Sequence, residues 1–149
     1  MDTVPYVDLD RFMGDWYVIA AIPTPFERDA FDAVETYARG EGHIATTFTY
    51  RRGGHDGPVK RMHPKGYVRD TTTNARWGMQ FVWPFKADYR VIWLDADYTT
   101  TIIGREARDY VWIMARTPHM APETLARHRA WLASIGYDVS KLREIPHRP

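Results

Sequence analysis

Between residues 14 and 116 apolar and polar positions alternate in short runs, interrupted every few residues by Gly, Pro, Asn or Asp. That is the grammar of an all-β sandwich or barrel. The runs are Trp16–Ile22, Ala33–Ala38, Ile44–Arg51, Val59–Arg69, Ala75–Trp83, Tyr89–Leu94, Tyr98–Ile103 and Tyr110–Arg116, eight in all. Pro64 marks the fourth as an edge or bulged strand, because proline cannot donate to a ladder. Beyond Arg116 the period changes. Leu125, His128, Leu132 and Ile135 share a face at helical spacing, with Pro122 at the first helical position and Gly136 at the stop. The chain therefore reads as one domain over 1–149: an eight-stranded antiparallel up-and-down barrel at about 14–117, a helix at about 122–135 packed outside it, and a docking segment at 137–146.

In such a barrel successive loops alternate between the two ends. The long Pro23–Phe31 segment and the glycine-rich Gly53–Pro58 loop fall at one rim, which reads as the mouth. Gly14, Trp16, Asp95, Tyr98 and Arg116 converge on the other end, where a guanidinium over an indole face makes a closed structural floor. The two-residue period of a strand then assigns inward positions. Tyr110, Trp112 and Met114 go in with Arg116, and Val18, Ala20 and Ile22 go in with Trp16. Trp77, Met79, Phe81 and Trp83 form an apolar stripe; Ile44, Thr46, Phe48 and Tyr50 form another. Tyr89, Val91 and Trp93 compete with Arg90, Ile92 and Leu94 for the inner face of their run. Small residues beside large rings predict a partial cavity, with Phe81, Trp83 and Trp112 toward its mouth.

The fourth run carries Arg61, His63, Lys65 and Tyr67 on one parity, and Lys60, Met62, Pro64, Gly66 and Val68 on the other. One reading is a solvated edge strand whose charges discourage aggregation. The other brings Arg61 and His63 to the mouth, where they would meet a carboxylate or phosphate head group, with Tyr50 and Tyr89 as hydroxyl donors.

Composition narrows the chemistry. The 20 Lys and Arg residues nearly balance 19 Asp and Glu, which gives no nucleic-acid footprint. Aromatic residues make up 14% of the chain, and rings in that proportion line surfaces or cavities as well as cores. With no cysteine there is no disulfide, thiolate metal site or Cys nucleophile. No apolar run reaches the roughly 18 residues a membrane span needs. The six histidines show no metal-ligand spacing, and no Ser-His-Asp or paired-carboxylate constellation stands out. The expectation is a non-catalytic binder with no metal and no cofactor, working as a monomer or weak homodimer.

Gly14-Asp15-Trp16-Tyr17, Leu94-Asp95-Ala96-Asp97-Tyr98 and the strand-end Arg116 resemble the three signature regions of lipocalins. Pro25-Phe26-Glu27-Arg28, Trp83-Pro84-Phe85, Arg108-Asp109-Tyr110-Val111-Trp112-Ile113 and Gly136-Tyr137-Asp138-Val139-Ser140-Lys141-Leu142 are similar to the bacterial lipocalin and apolipoprotein D branch. The resemblance covers nearly the whole chain in order. It implies a calyx that carries fatty acids, lysophospholipids or similar amphipathic lipids, with a link to membrane maintenance or stress and peripheral contact with a membrane. It also turns Glu35 inward with Ala33 and Tyr37, where a carboxylate would need a basic partner or a ligand's amine. Bacterial relatives are lipoproteins on the periplasmic face of the outer membrane. This chain departs from them in having neither a signal peptide nor a lipidation cysteine. The expectation is a periplasmic protein, outer-membrane associated in a full-length precursor, or a cytoplasmic one if the chain is the complete product. Two other classes compete: a calycin-type enzyme, isomerase or haem-binding barrel using Glu35 or His63, and a filled barrel acting as an interaction module.

Overall fold

A computed structural model describes residues 1–149. Ten strands form one antiparallel sheet: β1 (Gly14–Ile22), β2 (Ala30–Arg39), β3 (Ile44–Arg52), β4 (Val59–Met62), β5 (Lys65–Val68), β6 (Arg76–Val82), β7 (Phe85–Leu94), β8 (Thr100–Gly104), β9 (Val111–Ala115) and β10 (Arg143–Glu144). Because β1 pairs with both β2 and β9, the sheet closes on itself. The fourth run is not one strand but two. β4 and β5 both pair with β3 and are separated at His63 and Pro64, where the proline interrupts the ladder. Counted as halves of one strand, they make an eight-stranded barrel, and β10 adds a short outer rung to β1.

The floor is built as the spacing suggested and has one further part. The Arg116 guanidinium lies 3.8 Å from the centre of the Trp16 ring and donates to the carbonyls of Asp15 (2.9 Å), Arg11 (2.8 Å) and Tyr98 (3.2 Å). Asp95 accepts from the amides of Thr99 (2.7 Å) and Thr100 (3.0 Å), which holds the β7–β8 turn and leaves Tyr98 at φ 56°. Gly14 sits at φ 100°, and a Cβ there would stand 3.3 Å from Arg116 Nη1. The further part is a one-turn helix, α1 (Leu9–Phe12), capped by the Asp8 carboxylate. It seats Phe12 against Trp16, Tyr37 and Trp77, and the Phe12 carbonyl accepts from Trp16 Nε1 at 2.9 Å.

The core has two layers. Trp16, Tyr37, Trp77, Met79, Tyr89 and Met114 pack inside the barrel. Ile19, Ala20, Ile92, Ile113, Leu125 and Leu132 pack outside it, under the helix α2 (Pro122–Ser134). This corrects the inward assignments of Ala20, Ile22 and Trp93, and a β-bulge on each of two strands explains them. A register shift between Val18 and Ala20 on the β1–β9 pair inserts one residue, so Val18 and Ala21 face in while Ala20 and Ile22 face the helix. A second shift between Val91 and Trp93 on the β7–β8 pair leaves Val91 inside and turns Trp93 out, its ring 5.5 Å from His128 and 5.8 Å from Trp131. One extra residue reverses the parity of everything beyond it. The helix buries Leu125, His128 and Leu132, the face that the periodicity marks. It stops at Gly136 (φ 103°), with Arg108 Nε donating to the Ile135 carbonyl at 2.7 Å.

Candidate functional site

At the end opposite the floor lies a cleft of about 640 Å³. The β1–β2 segment contributes Thr24–Glu27, the β6–β7 hairpin contributes Phe81, Val82 and Ala87, and the β8–β9 side contributes Arg105, Tyr110 and Trp112. These loops share one end because successive turns of an up-and-down barrel alternate. Met62, His63 and Pro64 complete the wall where β4 gives way to β5. The glycine-rich β3–β4 loop adds no lining residue. It is held instead to Asp32, whose carboxylate meets His55 Nδ1 at 2.9 Å and accepts from the Arg148 amide at 2.8 Å.

Below the cleft the barrel is nearly full. The inner chamber has a volume of about 40 Å³ and shares Glu27, Met62, Phe81, Arg105 and Trp112 with the cleft above it. Phe48, Met79, Tyr89 and Glu35 close it from below. The expected partial cavity is therefore an apolar mouth over a chamber with room for only a few water molecules, not a deep hollow. Trp16, Trp77, Tyr37 and Phe12, all fully buried, occupy the space beneath.

Two of the carboxyl residues that line this chamber, Glu27 and Glu35, are buried. Glu35 is 8% exposed and accepts from the Tyr89 hydroxyl at 3.3 Å, and the Tyr89 and Tyr37 hydroxyls are hydrogen-bonded to each other. Burial, reinforced by the nearby Glu27, pushes the Glu35 acid up to about 8. Glu27, on the single turn of 3₁₀ helix Pro25–Glu27, accepts from Trp112 Nε1 at 2.7 Å. Burial raises its acid too, against the pull of that hydrogen bond. The same burial, together with Glu35, pushes the Tyr37 and Tyr89 hydroxyls well above their ordinary range. No Lys, Arg or His forms an ion pair with either glutamate. Arg105, at the chamber's edge, is engaged by Asp109 (Nε to Oδ1, 2.8 Å) and by the Asp88 carbonyl (3.1 Å).

The sequence-derived candidates divide accordingly. Phe81 and Trp112 line both cleft and chamber, while Phe48, Met79, Tyr89 and Glu35 line the chamber alone. Val18, Tyr50 and Met114 face inward but lie packed in the core, with the Tyr50 hydroxyl donating to the Phe26 carbonyl at 2.9 Å. Ala20 and Trp93 belong to the outer wall. Trp83 is 81% exposed at the tip of the β6–β7 hairpin and lines neither space. Arg61 is exposed and turned outward, because Met62, Pro64, Gly66 and Val68 hold the inner parity of the split strand. His63, also exposed, reaches only the cleft's edge. Glu27, Met62 and Arg105 were not among the candidates. Glu27 lies within the Pro25-Phe26-Glu27-Arg28 motif, and Met62 on the parity opposite Arg61; nothing local marks Arg105.

A Lipocalin-like domain family model matches residues 7–147. Temperature-induced lipocalin-1 of Arabidopsis thaliana is 31% identical, over 98% of this chain and 82% of that protein. Outer membrane lipoprotein Blc of Escherichia coli K12 is also 31% identical, over 90% of this chain and 76% of its own. Apolipoprotein D of Bos taurus is 28% identical, over 91% and 74%. Among solved structures, lobster apocrustacyanin A1 superposes with a TM-score of 0.72 at 15% identity, covering 95% of this chain and 81% of that one. Insecticyanin from the tobacco hornworm Manduca sexta superposes at 0.71 with 16% identity, covering 97% and 84%. At these identities the structural matches speak for the fold alone.

Proposed function

The chain belongs to the lipocalin family, whose members bind small hydrophobic ligands, and on that premise we propose that it is a non-catalytic carrier of amphipathic lipid, of the fatty acid or lysophospholipid kind. The observation that supports this reading is the apolar cleft at the open end, walled by Phe26, Met62, Phe81, Val82 and Trp112. The ligand's apolar part lies along this cleft and not down the barrel axis, since the chamber beneath is too small for a chain. Each methylene buried there contributes about 0.8 kcal/mol before the costs of association. Titration of tryptophan fluorescence with fatty acids and lysophospholipids tests it. Saturable binding at about micromolar or tighter, lost in Trp112→Ala, is the expected outcome. No response to any lipid would assign the protein to the filled-barrel class.

A second feature supports contact with a membrane. Phe26, Val82, Trp83 and Phe85, all strongly exposed, cluster around the same opening, on the β1–β2 segment and the β6–β7 hairpin. Side chains of this size grouped at one rim mark an interaction surface, where a lone exposed ring would need no explanation. In this reading the lip rests in the interfacial layer, so that lipid passes between bilayer and cleft without crossing water. The relatives named as outer membrane lipoproteins are consistent with work at an envelope surface.

A further inference from the structure

A cup meant for a carboxylate or phosphate would place a cation at its inner end. This one places two glutamates there. Glu35, more than nine-tenths buried, and Glu27 at 6% exposure line the same small chamber with no ion-pair partner; Glu35 accepts from tyrosine hydroxyls, and Glu27 from Trp112 Nε1 and Thr24. The chamber wall is otherwise largely aromatic and aliphatic, with Trp112, Tyr89 and Phe48 among its lining residues. Outside it the cleft turns apolar. Polarity thus runs opposite to that of a pocket filled tail first.

We propose that the chamber is a subsite for a primary ammonium group, and that the preferred ligands are single-chain amines whose –NH₃⁺ enters between Glu27 and Glu35 while the chain lies in the outer cleft. This rests on the cleft being the ligand site, as argued above. Three features fit that group and not its competitors. An ammonium carries three donors and no acceptor, which matches carboxylate oxygens and tyrosine hydroxyls. Its positive charge is compatible with an aromatic lining, which a carboxylate or phosphate does not favour. Its size is the decisive one. A chamber of about 40 Å³, with room for only a few water molecules, suits an ammonium better than the bulkier trimethylammonium or phosphate.

The charged and titratable groups around Glu35 and its chamber are Glu27 on the β1–β2 segment, Tyr37 on β2, Tyr50 on β3, Asp88 and Tyr89 on β7, and Arg105. Arg105 is already neutralised by Asp109, and it is the only cation lining the chamber. With its acid at about 8, Glu35 is mostly protonated at neutral pH, so an entering ammonium displaces that proton.

Calorimetric titration at pH 7 with dodecylamine, dodecanol, dodecanoate and dodecyltrimethylammonium, each below its micelle concentration, tests the proposal. Dodecylamine is expected to bind at least about tenfold tighter than the other three, the scale of a charge-assisted hydrogen-bonded contact. It should also release about one proton, seen as a buffer-dependent heat when phosphate is exchanged for Tris. Glu35→Gln, nearly isosteric, should abolish both the preference and the proton release. Equal binding of all four ligands to the unmodified protein, or an amine preference that survives Glu35→Gln, overturns the subsite and leaves the lipid cleft standing. If none of the four binds, the cleft reading itself fails.

Discussion

Glu35 is the residue at which local pattern and final environment diverge most. On an isolated β2 it is one polar position among several, and only closure of the barrel sets it against Tyr89, Tyr37 and Glu27. Its acid, ordinarily at 4.5, is pushed up to about 8, so the folded protein holds a proton that the unfolded chain has given up across that interval. Stability from this source is intact below about pH 4.5. It falls by about 1.4 kcal/mol per pH unit between there and 8, and is level again above 8. Glu35→Gln, which cannot ionise, should remove that slope. Urea unfolding at pH 5 and pH 8 would show the variant gaining on the unmodified protein as pH rises. A constant difference between the two would mean that Glu35 is ionised in the folded state. At the floor the residue scale was easier to read. Trp16 and Arg116 recognise each other through a ring face and a guanidinium, chemistry set by residue type alone.

Elements were legible where their periods ran unbroken. The helix face Leu125, His128 and Leu132, the β3 stripe Ile44, Phe48 and Tyr50, and the two ends of the barrel all follow from spacing. Parity failed at the β1–β9 and β7–β8 bulges, because an inserted residue changes no composition and leaves no local mark. Both bulges lie on the wall that α2 covers, and one of them turns Trp93 onto His128 and Trp131. Trp93 is 38% exposed, so truncation removes part of a helix-docking contact and nothing from the cleft or chamber. Trp93→Ala should therefore lower stability by about 1–2 kcal/mol, below the roughly 3–5 of a fully buried tryptophan, without altering lipid affinity. A thermal melt paired with the fluorescence titration checks both halves. Loss of lipid binding would return Trp93 to the interior. α1 carries no such period for another reason: four residues are too few to show one, and the turn is held by its Asp8 cap and by Phe12, which plugs the barrel.

At the scale of the whole molecule one end is sealed by Phe12, Trp16 and Arg116, and the other carries an apolar cleft ringed by exposed apolar side chains. Trp83→Ser combined with Phe85→Ser should cut sedimentation with phospholipid vesicles several-fold while leaving the melting temperature within a degree or two, since neither side chain is buried. Unchanged vesicle binding would separate the lip from the membrane. The ordered strands, the closed floor, the external helix and the family were all determined by the amino-acid sequence itself, because alternation, helical period and turn residues act over neighbouring positions. How much of the barrel stays empty was decided only by tertiary structure. So was which side of each bulge a side chain takes, and so was the meeting of Glu27 with Glu35. Packing volume and the desolvation of a carboxylate are properties of surroundings assembled from distant strands, and no single stretch of the chain contains them.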